Sequence, residues 1–157
     1  MTTSDANPFN QALLTLLDET FDHVQGYYLD RGTSLFETLA DISAAEASIP
    51  VGGKCATLAA QVKHVAFYLD VVEASIRDPN YPHADWGEIW RTVAAVTPEE
   101  WQAIQSELRR SYSRVIALIE ETTSWPGADE MAGAMALAVH TAYHLGEIRQ
   151  ALCMLRP

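Results

Sequence analysis

Two histidines stand four residues apart in the segment "AVHTAYHLGEIRQAL", His140 and His144, where the surrounding residues are apolar enough to be buried. A helix turns by about 100° per residue, so this spacing leaves the two rings about 40° apart in azimuth and roughly 5–6 Å apart along one face. Both can reach one atom. Leu137, Thr141, Ile148 and Ala151 share that face, which turns the pair toward an interior. In "QVKHVAFYLDVV", His64 sits on a second apolar face with Ala60, Phe67 and Val71. Neutral imidazole suits a small divalent ion such as Zn²⁺, Ni²⁺ or Fe²⁺ at about 2.0–2.2 Å, and three protein ligands leave a position open for water or substrate.

The competing reading is simple packing: core histidines whose ring nitrogens bond to neighbouring hydroxyls or carbonyls. Spacing alone does not separate the two, since the chain has five histidines and chance supplies such pairs readily. Cys153 lies nine residues after His144 and Cys55 nine before His64, each about 180° around a helix from its histidine. Neither thiol should join the site. With no CxxC spacing and no disulfide framework, both cysteines read as reduced and packed, a lone bridge between them being the alternative. Glu147, seven residues after His140 and within about 20° of it, could stand one turn below His144 and accept a proton there. The simpler expectation for it is a surface carboxylate paired with Arg149 or with solvent. His23 reads as a helix-face histidine and His83 as a loop histidine, neither with a partner at ligand spacing. Asp70 and Glu73 fall off the His64 stripe and read as solvated. Trp86, Trp90, Trp101 and Trp125 could roof a pocket, but core packing is the default for all four.

Long helices must position these groups. Asn7 and Pro8 open the first, and apolar steps from Phe9 to Val24 carry it over about 8–29. A short helical segment follows at Leu35–Ile42, then a stop at Pro50, Gly52 and Gly53. The second long helix runs from about Thr57 to Ile76 and ends before Asp78-Pro79. Thr97-Pro98-Glu99-Glu100 is a capping box that starts the third, which continues to about Thr122. The fourth spans about Glu130 to Met154. No period-2 run survives between turn residues, so the expected class is all-α, a four-helix bundle. The roughly twenty residues between the second and third helices can cross the bundle's length, allowing those two helices to run parallel.

The 157 residues suit one domain, 1–157, with 48% hydrophobic and 20% charged residues. A formal net charge of -11 repels a phosphate backbone and disfavours nucleic-acid binding. No apolar run is long enough to span a membrane, and "MTTSDANPFN" has no signal-peptide pattern, so a cytoplasmic protein is expected.

"QVKHVAFYLDVV" with the downstream "AVHTAYHLGEIRQAL" resembles the DinB/YfiT-like superfamily, whose members place one histidine in the second helix and an HxxxH pair in the fourth. The likeness covers nearly the whole chain, including "SLFETLADISAAEASIPVGG". It implies a four-helix bundle with a long crossover and a metal site at His64, His140 and His144. Many relatives carry glutamine where Glu147 stands. The resemblance further implies a metal-dependent transferase using a low-molecular-weight thiol (mycothiol, bacillithiol or glutathione), a thiol-dependent isomerase, or a hydrolase using metal-activated water. Its substrate would be a small molecule, and homodimers are common in the family. A different class also fits: a non-catalytic metal- or small-molecule-binding bundle acting in stress response.

Overall fold

The computed structural model describes residues 7–156, and these form α-helices and connections with no strand among them. The helices are α1 (Pro8–Phe21), α2 (Leu35–Ala40), α3 (Ala44–Ala47), α4 (Leu58–Arg77), α5 (Glu88–Thr92), α6 (Pro98–Glu121) and α7 (Ala128–Leu155), with a 3₁₀ turn at Val51–Gly53. The cap residues do what their chemistry requires. Asn7 Oδ1 accepts the Phe9 N–H, Thr57 Oγ1 that of Ala60, and Thr97 with Glu100 closes the expected box. One apolar core draws on α1, α2, α4, α6 and α7, with Leu17, Phe21, Leu69, Leu108, Val115, Leu137 and Ile148 inside it.

Helix directions follow from contacts between side chains. Lys63 bonds to Glu107, Arg114 to Asp70, and Arg77 to Glu121, each pair separated by 44 residues. A constant offset means that α4 and α6 run parallel, as the long connection permits. By contrast, Asn10 meets Ile119 while Phe21 stacks on Tyr112, so α1 runs antiparallel to α6. The same reversal relates α7 to α4, since Gln61 meets His144 while Tyr68 meets His140. The connection after α4 traverses that helix's whole length, because Thr57 at its start donates to the carbonyl of Ala94. This route carries α5 across the middle of α4.

Three expectations require correction. The first helix stops at Phe21, not near 29. Glu19, 0% exposed, accepts the backbone N–H groups of Tyr27, Tyr28 and Leu29, which takes them out of any helical ladder, and Gly26 makes the turn at φ 89°. Burial pushes the Glu19 carboxyl up, but these amides outweigh it and hold it below its ordinary value. Because the helix ends early, His23 lies beyond it, bonded to Asp18. Finally, Cys55 and Cys153 are both free and exposed, not packed: Cys55 precedes α4 and Cys153 lies on the outer side of α7.

Candidate metal centre

α4 contributes His64 from its middle, and α7, packed antiparallel beside it, contributes His140 and His144 one turn apart. The ligand-capable nitrogens of the three rings lie within 4.8 Å of one another. His64 Nε2 and His140 Nε2 are 3.1 Å apart. Two nitrogens bound to one ion at about 2.1 Å, at angles between 90° and tetrahedral, stand about 3.0–3.4 Å apart, so this pair already has ligand spacing. A nitrogen of the third ring, that of His144, lies within 4.8 Å of both. No other group of three histidine, cysteine or acidic side chains with this convergence occurs among the described residues.

The surroundings oppose the packing reading, under which each ring would find its own hydroxyl or carbonyl. His64 and His140 instead face each other, and His64 Nδ1 is buried with no partner at all. That orphaned nitrogen costs about 1–3 kcal/mol, and because an ion would take Nε2 it stays unpaired under either reading. Burial, reinforced by the neighbouring imidazoles, pushes His64 and His140 down to about 4. His144 is lowered as well, by burial against the opposing pull of Glu147. All three rings are therefore neutral at pH 7, with lone pairs available to a cation.

His144 is held from behind. Its Nδ1 lies 2.6 Å from Gln61 Oε1 and 2.9 Å from Glu147 Oε2. Two oxygen acceptors fix the proton on Nδ1 and leave Nε2 as the ligating atom, the arrangement by which a carboxylate orients a metal-bound histidine. Glu147 is thus tied to the site, contrary to the expectation of a surface carboxylate paired with Arg149, which reaches Thr38 instead. A cavity of about 400 Å³ opens on this side of His144, bounded by Cys55, Gln61, Glu147 and Met154. The larger cavity of about 830 Å³ lies beside Arg77, Trp125 and Gly133, away from the histidines.

Aromatic rings enclose the other side. Tyr68 stacks on His140 at 3.7 Å between centroids, and Trp90 lies 4.5 Å from His64. Trp86 packs on Phe67 and Tyr68. Core packing describes Trp101, which is buried and donates to the Ile42 carbonyl, and Trp125, whose indole donates to Asn10 Oδ1. It does not describe Trp86 and Trp90, which are 37% and 40% exposed. Gln61 and Tyr68 escaped the sequence reading although both lie on the His64 face, three residues before it and four after. Trp90 had no such signal, because only the path of the connection brings it there. His83 stays in its loop, and Asp70 and Glu73 are engaged by Arg114 and Arg77.

No family model, curated protein or solved structure matches this chain. Among the described residues, no helix is long and apolar enough to cross a membrane.

Proposed function

We propose that this chain is a four-helix bundle of the DinB/YfiT-like type, α1, α4, α6 and α7 with a crossover between α4 and α6, that holds a divalent transition ion on His64, His140 and His144. The carrying observation is the 3.1 Å approach of the His64 and His140 Nε2 atoms from two different helices. The ion when bound would lower the pKa of a thiol or water in its open position and so supply a nucleophile for a small electrophile. The reaction class this supports is transfer to or from a low-molecular-weight thiol, with hydrolysis as the variant in which water enters.

The chain's own groups have definite parts. Glu147 and Gln61 hold the His144 proton on Nδ1 and keep the ring oriented. Tyr68 and Trp90 cover His140 and His64 and shield the nitrogens from bulk water. With Glu147 and Gln61 both committed to the His144 Nδ1 proton, neither is left over as a dedicated general base. One observation favours a second reading, a binding bundle without turnover: His64 and His144 are only 6% and 5% exposed, which suits holding an ion.

The test begins with the metal content of purified protein and its uptake of Zn²⁺ or Ni²⁺. One equivalent per chain is expected, reduced in His64→Ala, His140→Ala and His144→Ala but kept in His23→Ala and His83→Ala. Undiminished metal in the first three would contradict the assignment. Thiol consumption against a panel of electrophiles then compares wild type with His144→Ala; equal rates would leave the binding reading and remove the catalytic one.

A further inference from the structure

The groups around the histidines select what can approach them. Trp90 packs on the histidines, its ring centroid 4.5 Å from that of His64 and 6.4 Å from that of His144, and is 40% exposed, so part of the indole that does not cover His64 stands open at the edge of the site. Trp86, 37% exposed, continues that wall through its contact with Tyr68, which in turn stacks on His140. Two half-exposed indoles on the rim of a polar cluster offer a stacking surface to a ligand.

Charge on the same elements points the same way. Arg91, on the helix that carries Trp90, is bonded to Asp85. Lys63, the neighbour of His64, gives its ammonium to both oxygens of Glu107. Arg149 reaches Thr38 rather than the cluster. Arg91 and Lys63 are each neutralised by a carboxylate, Arg149 is directed at Thr38, and Glu147 adds negative charge beside His144. An anion would be repelled where a neutral ring would be welcomed.

We propose that the ligand taken beside the three histidines carries an uncharged planar aromatic group, seated against Trp90 and Trp86, and no anionic group at that end. This rests on the metal reading and names the acceptor class of that site: an apolar aromatic electrophile rather than a sugar phosphate or a dicarboxylate. Trp90 acts as a specificity residue, and it does not touch the ion.

The experiment uses the full chain loaded with Co²⁺ and follows its visible ligand-field absorption while azoles of matched donor nitrogen are added. Imidazole, 4-phenylimidazole and the anionic imidazole-4-acetate are the probes. The expected result is that 4-phenylimidazole binds about tenfold more tightly than imidazole, a ratio that stacking on one indole can supply. Imidazole-4-acetate should bind no better than imidazole. Trp90→Leu, which keeps apolar bulk against α4, should hold its cobalt yet lose most of the preference, and Trp90→Phe should restore part of it. Equal affinities in wild type, tighter binding of the anionic probe, or an unchanged preference in cobalt-loaded Trp90→Leu would each overturn the proposal. A chain that takes up no cobalt would overturn the metal reading itself, and is told apart by the absence of any ligand-field band.

Discussion

At the scale of single residues, the site is three neutral imidazoles with one ring braced from behind. The brace predicts a graded response. Glu147→Ala should weaken Zn²⁺ binding by about tenfold or more, and Glu147→Gln, which keeps an oxygen acceptor for the His144 Nδ1–H, should weaken it less. Competition against a chromophoric chelator measures both, and equal affinity in all three proteins would deny Glu147 its role. The histidines also set a pH dependence for the metal-free chain. Folded values of about 4 for His64 and His140 lie below the ordinary 6.5, so between these limits the unfolded chain binds more protons than the folded one. Stability in the presence of chelator should therefore fall as pH drops from about 6.5 toward about 4, and urea midpoints across that range test it. The HxxxH spacing and the His64 face made the three histidines legible from sequence. Glu147 was not, because its azimuth alone could not choose between His144 and Arg149.

At the scale of elements, caps and apolar periods placed α4, α6 and α7 to within a few residues, since those signals are local. The end of α1 was hidden because its cause is a side chain meeting backbone eight to ten residues on. Glu19→Ala should cost about 2–4 kcal/mol in chemical denaturation, by stranding the N–H groups of Tyr27, Tyr28 and Leu29. A loss under about 0.5 kcal/mol would show that water replaces the carboxylate without penalty. Because the Glu19 carboxyl is held below its ordinary 4.5, its contribution is complete above that pH and is lost as pH falls through the folded value. α5 is the element that the sequence revealed least. Its five residues have no period to read, yet they carry Trp90 and bury Ile89 against the rest of the fold.

At the scale of the whole molecule, the parallel pairing of α4 with α6 forces the intervening chain to travel back along α4, and that path delivers the tryptophans to the histidines. The crossover is thus part of the site and not only a connection. A net charge of -11 surrounds it, which favours metal cations and disfavours anionic partners at low ionic strength. The central claim is that one ion sits on nitrogen from two helices. X-ray absorption at the zinc edge of the loaded protein tests this most directly. The account predicts three imidazole nitrogens and one further light atom at about 2.0–2.1 Å, with no sulfur shell. A sulfur shell at about 2.3 Å, or a first shell lacking imidazole scattering, would contradict it.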